Sequence, residues 1–180
     1  VIISVFGYNS RCGSTYTAFD IAFYLHKYER AKVCIVTAVT AGLCKYFNVD
    51  ETTVNENGFN IDDVIIYSCF DKISDTFDYI VCDDGITLNH NAYIHLLLCS
   101  AADWDMPMLT DYINNVIIPN KMDVNLCFFP VTVNKFVAIN KQLIKSGFNA
   151  YMLESSDNWM ATNANNNNVY SNILKAYIVY

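Results

Sequence analysis

The first twenty-five residues constrain the chain more than any other stretch. Val1-Ile-Ile-Ser-Val-Phe6 is an apolar, β-branched run that stops at Gly7. A short polar segment follows, Tyr8-Asn-Ser-Arg-Cys-Gly-Ser-Thr15. Beyond it, apolar residues recur at helical spacing, with Ala18, Ile21, Ala22 and Leu25 on one face. The order is strand, loop, helix, with Gly7, Gly13, Ser14 and Thr15 at the loop where the helix begins. Such a junction exposes unpaired N–H groups and the positive end of a helix dipole, which suits a phosphate. It lacks the lysine of a working phosphate loop. Gly7 and Gly13 serve equally well in a plain tight turn, and Thr15 serves equally well as a helix cap.

Downstream the pattern keeps alternating. Lys32–Thr37 reads as a second strand, Thr40–Phe47 as a short helix and Asp50–Asn60 as an exposed polar loop. Ile61–Phe70 fits a strand or a helix. Phe77–Cys82 is a strand that ends in Asp83-Asp84-Gly85, and Tyr93–Cys99 is another. A helix is expected from Met108 to Ile117, a strand over Asn125–Val131, a helix over Lys135–Lys145 stopped by Gly147, and a short strand over Ala150–Leu153. Asn163–Asn168, almost pure asparagine, reads as loop, and Tyr170–Ile178 as a closing helix. Strands that are continuous apolar runs are buried on both faces, and helices between them imply parallel crossovers. The expected fold is therefore α/β, a three-layer, open, mostly parallel, doubly wound sheet. Ligands in such sheets sit at strand carboxyl ends, where Gly7–Thr15 and Asp83–Gly85 both fall.

Composition narrows the class. With 180 residues, 53% of them hydrophobic, the chain builds one core, so residues 1–180 are read as one domain. The start at Val1, without Met and already in a strand, fits a segment of a longer protein. A net charge of −7 argues against nucleic acid as a partner. No apolar run spans a bilayer. Seven cysteines without a C-x-x-C, most inside apolar runs, fit buried free thiols and a reducing cytoplasm rather than a zinc site. His90 and His95 have no acidic or cysteine cluster to complete a ligand set, so they read as ordinary surface or part-buried side chains. Cys12, at a helix start, is a place for a lowered thiol pKa. The aromatic residues read mostly as core, while Met106-Pro107-Met108 after Trp104 is the stretch expected to form an exposed patch for a partner.

The opening resembles the deviant phosphate loop of the MinD/ParA family of dimerising ATPases. Their pattern, Gly-x-Lys-Gly-Gly-x-Gly-Lys-Thr/Ser-Thr, aligns without gaps on Gly7-Tyr8-Asn9-Ser10-Arg11-Cys12-Gly13-Ser14-Thr15-Tyr16. The helix ending Ile-Ala-Phe-Tyr-Leu25, the strand Ala-Lys-Val-Cys-Ile-Val36 and the strand Phe-Asp-Tyr-Ile-Val-Cys-Asp83 are similar to that family too. Within it, the likeness is nearest to the CpaE/TadZ branch of pilus-localisation proteins, whose relatives carry a receiver-like domain ahead of this one. The resemblance implies a nucleotide site on Gly7, Asn9, Ser10, Arg11, Cys12, Gly13, Ser14, Thr15 and Tyr16. It also implies Mg²⁺ at Thr15 and Asp83, and a homodimer with the loops facing each other.

The departures from the pattern bear on function. Asn9 replaces the lysine that reaches across the dimer, and Ser14 replaces the lysine on the β- and γ-phosphates. Thr37 falls where active members place the aspartate that handles the attacking water. Phosphoryl transfer depends on positioning and charge neutralisation, so loss of both lysines removes its main support. The expectation is a protein with weak or no ATP and Mg²⁺ binding and little hydrolysis, with Arg11 as the one candidate to replace a charge. Such a protein would act as a cytoplasmic localisation or assembly scaffold for a pilus, secretion or polar machinery. Two alternatives stand beside it: a nucleotide-binding switch with slow hydrolysis, and a flavodoxin-like FMN protein, since Ser10–Thr15 also resembles a flavodoxin phosphate loop.

Overall fold

A computed structural model of the chain describes residues 1–9, 12–49, 58–87, 89–155 and 162–177. Eight strands form one sheet: β1 (Ile2–Gly7), β2 (Val33–Thr37), β3 (Phe59–Ile61), β4 (Val64–Tyr67), β5 (Tyr79–Gly85), β6 (Ile94–Cys99), β7 (Asn125–Phe128) and β8 (Asn149–Met152). Among the described residues five α-helices accompany them: α1 (Ser14–Lys27), α2 (Thr40–Tyr46), α3 (Met106–Tyr112), α4 (Val133–Lys145) and α5 (Ala164–Tyr177). The strand order is β3-β4-β2-β5-β1-β6-β7-β8. Every pairing is parallel except β3 with β4. The expected α/β doubly wound fold is therefore the observed one.

Both faces of the sheet are buried, which explains why its strands read as unbroken apolar runs. Alternation assigns each side chain to a layer. Ile3, Val5, Leu96, Leu98 and Cys127 point into one cluster, together with Ile21, Ala22 and Leu25 of α1 and Tyr170 and Ile173 of α5. Phe6, Leu97, Cys99, Leu126 and Phe128 point into the other, with Leu109 of α3 and Ile139 of α4. The four apolar positions expected to face inward from α1 are all fully buried. None of the seven cysteines forms a disulfide, and six of them are buried. Among the described residues no helix is long and apolar enough to cross a membrane.

Topology disposes of one expectation. A flavodoxin-like sheet sets its first strand beside its second. Here β5 lies between β1 and β2, pairing with both. The chain is therefore not flavodoxin-like in its strand order.

Local departures have local causes. Ile61–Phe70 is neither one strand nor one helix but the turn and second strand of a β3–β4 hairpin. Asp62 and Asp63 hold its turn with φ of 51° and 67°, the backbone of a two-residue hairpin turn, and Asn60 Oδ1 accepts a hydrogen bond from the Asp63 N–H at 2.9 Å. The expected loop over Asp50–Asn60 lies outside the described residues from 50 to 57, and its end, Phe59–Asn60, is strand. The helix expected to begin at Met108 begins at Met106 and continues as a π-helical turn, Ile113–Ile117.

The asparagine tract is the clearest correction. Residues 164–168 are not loop but the first turns of α5. Asn163 caps them, its Oδ1 accepting from the N–H of Asn165 at 2.8 Å and of Asn166 at 3.4 Å. Asn166 is fully buried and donates to Asp20 Oδ2 at 2.7 Å and to the Glu154 carbonyl at 2.9 Å. Tyr170 donates to the same Asp20 oxygen at 2.8 Å. Poor intrinsic helix propensity is thus overridden by one cap and one buried network.

That network ties α5 to α1 through a carboxylate that burial strongly disfavours. Desolvation raises the Asp20 pKa above its ordinary 3.8, and the bonds from Tyr170 and Asn166 offset only part of the rise. A carboxyl with a raised folded pKa lends its stability fully below the unfolded pKa, and that contribution is lost as pH rises through the folded value. Urea denaturation of the chain should therefore show stability falling with pH across that window. Asp20→Asn, which keeps an acceptor for Tyr170, should flatten the slope. Asp20→Ala, which orphans the buried Tyr170 hydroxyl, should cost about 1–3 kcal/mol.

Candidate functional site

β1 and α1 are joined over the centre of the sheet. Gly13 precedes α1 with φ 83° and ψ 25°, a left-handed conformation that glycine adopts without strain. Thr15 is therefore not the cap but a residue of the first helical turn. Gly7 has a different reason to be glycine. A Cβ there would lie 2.7 Å from Cys12 Cβ and 2.9 Å from the Asn9 carbonyl oxygen, so the loop folds back onto the strand end only because none is present.

Cys12 fills that fold-back. Its side chain is buried and its thiol donates to Asn9 Oδ1 at 3.0 Å. Burial raises the Cys12 pKa, the opposite of the lowering that a helix start can give. Asn9, in the place of the cross-reaching lysine, turns its carbonyl back into its own loop. Tyr16 stacks on Phe129 at the carboxyl end of β7, with centroids 5.8 Å apart. Phe129 also lies 3.5 Å from where a Gly13 Cβ would be. Ser10 and Arg11 lie outside the described residues.

Asp83 is the meeting point. The register shift between Val5 and Phe6 leaves Asp84 as an extra residue in β5. Asp83 faces α1, where its Oδ2 accepts from the Thr15 hydroxyl at 2.7 Å and from the Thr37 hydroxyl at 2.9 Å. Asp84 instead accepts from the buried Ser4 hydroxyl at 2.5 Å. Burial raises the Asp84 pKa, the Ser4 bond lowers it, and the Asp83 charge raises it further. The second oxygen of Asp83, Oδ1, is buried and has no hydrogen-bond partner among the described residues.

These groups border a cavity of about 300 Å³ at the carboxyl ends of β2 and β5, with Ser14, Thr15, Thr37, Asp83 and Asp84 in its wall. None of the described residues lining it is basic. Two carboxylates and hydroxyl oxygens suit a hard cation better than a bare anion. The buried, unpartnered oxygen of Asp83 is the observation that fits Mg²⁺. Among the described residues no group of three or more His, Cys, Asp or Glu side chains surrounds such a site. Mg²⁺ is commonly held by one or two carboxylates, with water and phosphate supplying the rest.

The sequence brought Gly7, Gly13, Thr15 and Asp83 to one place, and the structure unites them. It missed the grip of Thr37 on Asp83, for which Thr37 opposite Asp83 in the sheet is the physical signal. It also missed Ser4 and Phe129, which only the tertiary arrangement brings in. His95 belongs to β6 and contacts the Asn89 carbonyl at 3.0 Å, as an ordinary part-buried histidine does.

Strand order, glycine-rich strand-to-helix loop and facing aspartate together define a doubly wound α/β fold of the phosphate-loop NTPase kind. Comparison with solved structures specifies it further. A plasmid partition protein from Borrelia burgdorferi, bound to AMPPNP, superposes with a TM-score of 0.69 over 97% of this chain and 96% of its own, at 16% identity. A ParA-family ATPase from Chlorobium tepidum gives 0.56 over 87% and 85%, at 10% identity. A nucleotide-binding protein from Archaeoglobus fulgidus, in complex with ADP, gives 0.57 over 99% and 92%, at 10% identity. No protein-family model and no curated protein sequence matches the chain. The fold is of the MinD/ParA type.

The loop geometry makes a stability prediction with a built-in contrast. Gly7→Ala should destabilise the protein by about 1–3 kcal/mol, as overpacking does. Gly42→Ala, in α2 with nothing within 4 Å of the added carbon, should instead stabilise it by about 0.5–1 kcal/mol. Thermal or urea melts of the two variants read both signs.

Proposed function

We propose that this protein is a catalytically impaired relative of the MinD/ParA ATPases that works as a cytoplasmic localisation or assembly scaffold. The observation that carries the reading is the cavity wall: it holds Asp83 and Asp84, and none of the described residues lining it is basic. In a phosphoryl-transfer site, fixed positive charge near the transferring group supplies most of the rate. Ser14 and Asn9 stand where the lysines of the resembling family stand, and neither carries charge. The solved neighbours include plasmid partition proteins, which supports positioning of a cellular cargo as the general task. Likeness to the CpaE/TadZ branch supports a pilus, secretion or polar assembly as that cargo.

Retained nucleotide binding is the second reading, and the Thr15–Asp83 pair favours it. Thr15 and Asp83 would hold a hydrated Mg²⁺, whose chemistry would be to neutralise phosphate charge. The loop N–H groups and the start of α1 would hold the phosphate without help from lysine. Thr37, a threonine rather than a carboxylate, offers no base to an attacking water.

One titration separates the readings. A ligand present at 100 times its Kd stabilises a fold by about 2.7 kcal/mol. A pure scaffold should show no thermal shift with ATP and Mg²⁺ and no phosphate release. A non-hydrolysing switch should show the shift without release. The double substitution Asn9→Lys, Ser14→Lys should create or strengthen the shift. Hydrolysis by the unmodified protein at rates ordinary for ParA ATPases would overturn the proposal.

A further inference from the structure

The stretch after Trp104 exposes Trp104 and Met108, as expected from the sequence. A face that says more about its occupant lies at one end of the sheet. β8 is the last strand on that side, and among the described residues it pairs with β7 alone. The Leu153 N–H donates to the Phe128 carbonyl at 3.0 Å, toward β7. In a parallel ladder successive residues turn their backbone groups to opposite sides, so Ala150, Met152 and Glu154 turn theirs outward.

At Glu154 the outward groups are already satisfied. Asn166 Oδ1 accepts from the Glu154 N–H at 2.8 Å, and Asn166 Nδ2 donates to the Glu154 carbonyl at 2.9 Å. These are the two bonds that a neighbouring strand would make. Ala150 and Met152 have no such substitute among the described residues. β8 also lacks common edge protections, since Asn149-Ala-Tyr-Met152 contains neither proline nor a charged side chain.

α4 overhangs this edge. Its Ile139, Gln142 and Leu143 face a groove shared with Met106 of α3 and Ile113 of the π-helical turn. Val133, Val137 and Ile144 fall on the opposite flank by the helical period, and are 61%, 45% and 63% exposed. Because α3 follows β6 whereas α4 leads from β7 to β8, the flank away from α3 is the one beside the outer edge of β8. Ala150 packs in the same layer as α4, with only a methyl group as side chain. The charged residues of α4 are Lys135, Lys141 and Lys145, all positive in a chain of net charge −7. Lys135 pairs with Asp103, whereas Lys141 and Lys145 have no ion pair among the described residues.

We infer that the outer edge of β8, flanked by the exposed side of α4, docks an extended segment of another protein that is apolar at alternate positions and acidic at one end. The segment adds as a further strand, bonded through the outward groups of Ala150 and Met152. Its alternate side chains lie beside Ala150 and cover Val137 and Ile144. Its carboxylates meet Lys141 and Lys145. A second copy pairing through its own β8 would bring lysines to those lysines, so the charge selects a different chain. The edge is three strands from β1 in the sheet, so docking needs no nucleotide and does not rest on the proposed function.

Fluorescence anisotropy tests this with a labelled synthetic peptide that has valine at alternate positions, threonine between them and glutamates at one end. Titration with the protein should give a saturable rise. The same peptide with proline at its centre should give none, because it cannot pair with an edge. Exchanging its glutamates for lysines should weaken binding about tenfold. In the protein, Ala150→Pro should abolish binding. The N–H it removes faces outward, where an edge strand tolerates proline, and circular dichroism checks the fold. Ile144→Glu, at an exposed position, provides an independent variant and should weaken binding about tenfold. No rise at millimolar protein, equal binding of the proline-containing peptide, or binding unchanged by Ala150→Pro or by Ile144→Glu would overturn the inference. Self-association in sedimentation that Ala150→Pro removes would assign the edge to a second copy, and would overturn it too.

Discussion

One carboxylate oxygen holds the centre of this molecule together. Asp83 Oδ2 accepts from Thr15 at the start of α1 and from Thr37 at the end of β2, while Asp83 itself belongs to β5. Three elements that are far apart in the chain therefore converge on one atom. The convergence is possible only because β5 is inserted between β1 and β2, so that their carboxyl ends and the loop leaving β1 surround its own end. Both donors are hydroxyls, which bond to a carboxylate without bringing positive charge. Among the described residues the site is organised by hydrogen bonding to a carboxylate.

The loop above Asp83 keeps its shape by means unrelated to phosphate. A missing Cβ at Gly7, a left-handed Gly13 and a buried Cys12 shape its described residues. Backbone shape and catalytic charge are thus separable. Lysines act through electrostatics, whereas the cradle rests on sterics, so this fold and a loop without lysine coexist here.

Polar burial on the far side of α1 follows a different logic. Asp20, Asn166 and Tyr170 form a buried cluster in which one carboxylate oxygen takes two donors. A buried charge of that kind adds little net stability, and its removal without replacement is costly. Its effect is directional. Only one placement of α5 satisfies Asn166 from both Asp20 and the Glu154 carbonyl, so the network orients a helix whose own sequence does not favour helix. The glycine-rich loop and the α5 contact lie on the same helix, α1.

What the amino-acid order decided alone was whatever depends on neighbours a few residues apart. Continuous apolar runs specified strands buried on both faces, helical spacing specified α1 and α4, and the Gly7–Thr15 segment specified a strand-to-helix loop. What failed in that reading failed for want of distant partners. Asn163–Asn168 looks like loop until Asp20, more than 140 residues earlier, is brought to Asn166. Cys12 sits at a helix start, a place for a lowered pKa, until burial raises it. Tertiary structure alone decided that Thr37 and Thr15 share one oxygen of Asp83 and that Phe129 lies under Tyr16. Each of these depends on which strands become neighbours in the sheet, a choice made by the packing of the whole chain and not by any local pattern.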